Sequence, residues 1–137
     1  MTNYLNAFNN HFEEFVKDVV TVFPEDIQIA TASNALCKLR KANPKIIIKV
    51  FYNHIYLPHG SQINENNINY FIEKDYTEYL TNPHVGFTKE VLDKINSIKE
   101  PISNMNEREQ MKVIKYLQNL CKLCDLYHST KLPDGQY

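Results

Sequence analysis

The chain has 137 residues, near the modal size of one domain, and folding at that length buries roughly two-thirds of the surface an unfolded chain exposes, with no need of disulfide or metal staples. Apolar side chains make up 43% and charged ones 23%, a globular mixture that excludes disorder except at the two ends. Fifteen basic side chains stand against 16 acidic ones, so no net field draws the molecule to phosphate or anionic lipid, and nucleic-acid binding would need a local patch.

From Leu5 the apolar residues Phe8, Phe12, Phe15, Val16, Val19 and Phe23 recur at three-and-four spacing, which puts one face of a helix on a core and leaves Asn9, Glu13, Lys17 and Thr21 opposite. Pro24 disfavours helix at Phe23, and Pro24, Glu25 and Asp26 suit a new start, so a second helix runs through Ile29, Ala32, Leu36 and Leu39. Its last turn holds Lys38, Arg40 and Lys41, where cations complement the dipole, and Asn43-Pro44 ends it. Asn43 as cap and Pro44 at the first position then predict a third helix over Lys45 to about Tyr56. The β-branched and aromatic residues Ile46, Ile47, Ile48, Val50, Phe51 and Tyr52 make a strand the alternative.

Leu57-Pro58-His59-Gly60-Ser61 is a turn by composition, and Ile63, Ile68, Phe71 and Ile72 predict a short helix from near Asn64. Residues 74–83 have no clear pattern. Helix returns with Thr88 as cap, Phe87 stapled on Leu92, and Val91, Ile95 and Ile98 on one side, until Pro101 closes it. In the last element Asn106 and Glu109 form a capping box, and Ile114, Leu117, Cys121, Cys124 and His128 make a stripe flanked by Val113, Leu120 and Tyr127. The expectation is an all-α fold: one compact domain of five or six helices over residues 1–132, orthogonal or bundle-like, with 133–137 a loose tail.

Function is harder to read. Cys121-Lys122-Leu123-Cys124 with His128 offers three metal-ligand types. However, structural zinc sites take cysteine pairs from turns and need a fourth ligand, and a redox pair wants a helix N-terminus rather than this C-terminal end. The two cysteines continue the line of Ile114 and Leu117 and read as core, so no metal and no cofactor is expected. Cys37, Cys121 and Cys124 have no disulfide-framework spacing and read as free thiols. His11, Glu14 and Asp18 share one side of the first helix, but no second Glu-x-x-His element appears, and they read as a solvated flank. His54, His59 and His84 fall in or beside turns; His59 and Gly60 next to Pro58 are candidates for lining a pocket. No nucleophile elbow or phosphate-cradling glycine motif is present, and three glycines give little to build one from, so the reading leans against an enzyme and names no catalytic residue, with an enzyme whose site is assembled from scattered polar residues kept as the second alternative.

The candidate binding surface is a stripe in the third segment. Lys45, Lys49, Tyr52 and Tyr56 follow at spacings of four, three and four, with Ile47, Val50, Phe51 and His54 on the opposite side. Basic and tyrosine side chains in one row suit docking of another protein or of a second copy. The rival is nucleic-acid binding through Lys38, Arg40, Lys41, Lys45 and Lys49 with Tyr52 and Tyr56. The dull reading is tyrosines lying along their own helix among solvated lysines. As a strand the stripe dissolves, because side chains then alternate. No apolar run approaches membrane-spanning length and no signal-peptide pattern opens the chain, so an intracellular protein without a membrane is expected.

Phe23-Pro24-Glu25-Asp26-Ile27, Ala42-Asn43-Pro44-Lys45 and Tyr116-Leu117-Gln118-Asn119-Leu120-Cys121-Lys122-Leu123, in an Asn- and Lys-rich chain, resemble a group of small proteins encoded by large DNA viruses of algae and other protists. The resemblance implies a viral protein acting in host cytoplasm, a viral factory or the particle. It carries no functional residue across.

Overall fold

A computed structural model describes residues 3–66, 68, 69, 72 and 86–129. All the regular structure among them is helical: α1 (Tyr4–Val22), α2 (Ile27–Ala42), α3 (Ile46–Phe51), a π-helical turn (Tyr52–Tyr56), α4 (Leu57–Asn64), α5 (Gly86–Ser103) and α6 (Glu107–Ser129). The third segment is therefore helix and not strand. The expected tail, 133–137, lies outside the described residues, as do Phe71 and the unpatterned stretch 74–83.

Helix α1 starts where Asn3 accepts a hydrogen bond from the Asn6 N–H at 2.9 Å, and stops at Phe23 before Pro24. Its buried face is Phe8, Phe12, Phe15, Val16 and Val19. Asn9, expected on the polar side, is instead 2% exposed. Its Nδ2 donates to the Pro44 carbonyl at 2.9 Å, tying α1 to the α2–α3 turn.

Asp26 caps α2 by accepting from the Ile29 N–H, and Asn43 ends it while accepting from the Lys45 N–H at 3.3 Å. Helix α3 buries Ile46, Ile47, Ile48, Val50 and Phe51. An aromatic band links three helices: Phe51 meets Phe8 edge-on at 5.4 Å, Phe8 stacks on Phe12, Phe12 meets Phe15, and Phe15 touches Tyr116 of α6.

Two expectations about this middle segment are corrected. Residues 57–61 are helix, not turn, because the π turn widens the ladder: the Leu57 N–H reaches back five residues to the Tyr52 carbonyl. Pro58 then falls in the first turn of α4, where a missing N–H is harmless. At Gly60 an added methyl would lie 3.1 Å from Cδ1 of Tyr56, a tight approach that glycine relieves, letting that ring lie close to the helix backbone. Asn64 ends a helix rather than starting one; Asn66 takes a left-handed backbone, φ 66°, that breaks the run. Of the helix expected beyond it, only Ile68, Asn69 and Ile72 are described, and the Ile72 N–H donates to the Ile68 carbonyl.

Helix α5 begins at Gly86, so Thr88 sits inside its first turn and is not the cap; the side chains of Phe87, Thr88 and Leu92 lie outside the described ones. Nor does Pro101 close it. A proline this near the C-terminus forfeits one backbone bond, and the helix continues to Ser103 because Ile102 enters the core at 0% exposure. The side-chain amide of Gln110 then donates to the Ile102 carbonyl. Helix α6 starts with the full capping box: the Glu109 N–H donates to Asn106 Oδ1 at 2.8 Å and the Asn106 N–H to Glu109 Oε1 at 3.3 Å.

Packing follows from these faces. Helix α1 lies between α2 and α6, α2 packs on α5, α3 touches α1, α2 and α5, and the π turn with α4 packs on α6. Gln118 of α6 donates to the Ile63 carbonyl and to Asn66 Oδ1, holding the end of α4. Cys121, Cys124, Val113, Ile114, Leu117 and Leu120 all join the common core. No helix among the described residues is long and apolar enough to cross a membrane.

Candidate functional site

The stripe expected on the third segment exists as a helical row, and its two halves behave differently. Lys45 and Lys49 are exposed, whereas Tyr52 and Tyr56 are half-buried against α6. The Tyr52 ring stacks on His128 with centroids 3.7 Å apart and planes 14° from parallel, and on its other neighbour Tyr56 at 5.6 Å. The Tyr56 hydroxyl donates to Asp125 Oδ1 at 3.2 Å; burial and that carboxylate together push the phenol up from its ordinary value. The tyrosines thus fasten the π turn to the end of α6.

Beside this stack the two lysines border a cleft of about 220 Å³, lined by Asn43, Lys45, Ile46, Ile48, Lys49, Tyr127 and His128. No carboxylate stands among those residues. The floor is aliphatic and the rim cationic, an arrangement that favours a negatively charged group on a short apolar or amide stem. Sequence reading found Lys45 and Lys49 but not their partners, since Asn43 was recognised only as a cap and His128 only as the end of a core stripe and a candidate ligand beside Cys121 and Cys124. Nothing local in the sequence signals that α6 returns its last turn to α3.

The rival cluster on α2 is divided. Lys38 and Lys41 are exposed, but Arg40 Nη1 lies 2.6 Å from Glu13 Oε2 and its Nη2 lies 2.8 Å from Asn6 Oδ1. That guanidinium, on the wall of an open hollow with Lys41, Asn9 and Pro44, is committed to holding α1 and α2 together. Burial alone would raise the Glu13 carboxyl, but the Cys37 thiol hydrogen bond and the Arg40 charge outweigh it and hold the carboxyl below its ordinary 4.5.

The other clusters carry no comparable geometry. Burial pushes the Cys121 thiol up to about 12 and the Cys124 thiol higher still, so both stay protonated; Cys124 and His128 come within 3.8 Å, but Cys124 points at the Ile48 carbonyl. No group of three or more His, Cys, Asp or Glu side chains among the described residues is placed to share a metal ion. Of His11, Glu14 and Asp18, Asp18 accepts from the Tyr116 hydroxyl at 2.6 Å and His11 lies over the Tyr116 ring. The Asp18 bond, with burial, drives the Tyr116 phenol to about 12. A hollow of about 140 Å³ next to it is mostly apolar, with Asp18 and Glu109 facing a single Lys112. His54 is half-buried, and that burial depresses its pKa. The side chains of Pro58 and His59, and all of His84, lie outside the described residues.

Comparison of the chain with protein-family models, with curated proteins and with solved structures found no match.

Proposed function

We propose that this chain is a non-catalytic binding module that seats an acidic segment of a partner protein in the cleft between α3 and the end of α6. The observation that carries the reading is the cleft's lining: Lys45 and Lys49 on the rim, an aliphatic floor from Ile46 and Ile48, and no carboxylate among the described lining residues. Carboxylate side chains on short stems match both features, and charge complementarity sets orientation and encounter rate. Nucleic acid fits less well. Its affinity comes from many simultaneous phosphate contacts, and the strongest phosphate-binding side chain of the basic set, Arg40, is taken by Glu13.

Titration of a Glu/Asp-rich peptide and of a single-stranded oligonucleotide of equal charge, each at about 50 and 200 mM salt, tests this. The expected result is peptide binding that weakens with salt and falls about tenfold or more in Lys45→Glu/Lys49→Glu. Absence of peptide binding at low salt, or tighter binding of the oligonucleotide, overturns it.

A further inference from the structure

We propose that the acidic segment seated in this cleft is carried by a second copy of the chain, whose Glu25-Asp26-Ile27 corner enters it head to tail. This rests on the reading of the cleft as a carboxylate site and names its occupant.

The corner has both properties that the cleft selects. Ile27, the first residue of α2, is 82% exposed, more than any other large apolar side chain among the described residues. The helix start is made by Asp26, whose Oδ1 accepts from the Ile29 N–H, and the core contact by Ile29 at 0% exposure, so Ile27 serves neither. A single exposed aliphatic group is common on a protein surface, but here two acids directly precede it. Exposed Glu25 and the second oxygen of Asp26 offer negative charge beside the apolar group, as Lys45 and Lys49 offer positive charge beside Ile46 and Ile48.

The same polarity extends past the corner. A hollow of about 190 Å³ next to it has Asp26 and Glu100 in its wall and no cation among its described lining residues. The two regions thus carry opposite fields, which orient an approaching copy before contact. Contact within one molecule is excluded by placement. The corner opens α2, whereas Asn43, which ends that helix, lines the cleft, and 16 residues at about 1.5 Å each hold the two about 24 Å apart. Each copy therefore presents a plug at one end of α2 and a socket at the other. Such a contact joins unlike surfaces, so every open complex keeps a spare plug and a spare socket and adds further copies until a ring closes. One aliphatic side chain and two ion pairs make it weak, with a dissociation constant of about 0.1–1 mM.

Sedimentation velocity of the full chain from about 20 μM to 1 mM, at about 50 and 200 mM salt, reads the association. The wild type is expected to gain mass with concentration, and to associate about threefold or more weakly at the higher salt. Glu25→Gln/Ile27→Ser removes the plug and Lys45→Glu/Lys49→Glu the socket, all at exposed positions. Each variant alone should stay monomeric, and an equimolar mixture should form a heterodimer and stop there, because one intact plug meets one intact socket. A wild type that stays monomeric at low salt, a variant that associates as the wild type does, or variants that fail to pair on mixing overturn the second copy as occupant. If the Glu/Asp-rich peptide then still binds, the cleft stands as a site for another chain; if it does not, the cleft reading falls as well.

Discussion

Replacing Arg40 by Met keeps the aliphatic stem and deletes the charge that joins α1 to α2. The loss comprises the 2.6 Å bond to Glu13 and the 2.8 Å bond to Asn6, in a pair whose side chains retain 19% and 23% of their exposure. Fully exposed pairs contribute about 0–1 kcal/mol and hydrogen bonds to charged groups about 1.5–3, so this half-sheltered pair should be worth about 1.5 kcal/mol. Unfolding entropy of about 2.1 cal/mol/K per residue, or about 0.3 kcal/mol/K here, converts that to a fall in Tm of about 5 °C. The pH dependence supplies the signature. Because the folded carboxyl of Glu13 titrates below its ordinary 4.5, its stabilisation is complete above the unfolded value and is lost as pH falls through the lowered folded one. Urea denaturation of wild type and Arg40→Met should therefore show the full gap at pH 7 and a narrowed one near pH 3. An equal gap at both, or one under about 0.3 kcal/mol at pH 7, would refute the reasoning.

Phe8 is 0% exposed and packs on both Phe12 and Phe51, so Phe8→Ala should cost about 3–5 kcal/mol in urea denaturation with an unchanged slope. Asn106→Ala removes half of the α6 capping box and should cost about 1 kcal/mol, while Asn106→Ser should restore most of it. In the native protein a thiol reagent at pH 8 should modify half-exposed Cys37 first, with Cys121 and Cys124 following only at the rate of global opening. Simultaneous labelling of all three would contradict their burial.

What the sequence made legible was whatever depends on neighbours along the chain. The capping box at Asn106 and the buried faces of α1 and α6 are set by spacing, and appear as expected. Asn9 was misplaced because its partner, the Pro44 carbonyl, lies 35 residues away. The prolines misled for a different reason: Pro58 and Pro101 usually mark ends, but a widened turn before one and a buried Ile102 after the other make helix tolerable at both. The candidate cleft was half visible. Lys45 and Lys49 declare themselves by spacing, whereas His128 reaches them only through tertiary packing of α6 on the π turn.

That π turn also sets the angular phase of everything downstream. A wide turn holds one more residue than the regular spiral, and the surplus is absorbed between Tyr52 and Tyr56. A regular spiral through the same residues would instead swing the following side chains by about 100°, carrying Ile63 out of the interior and Tyr56 away from Asp125. The spare residue acts as a keyway cut into the rod, fixing which way its far half faces.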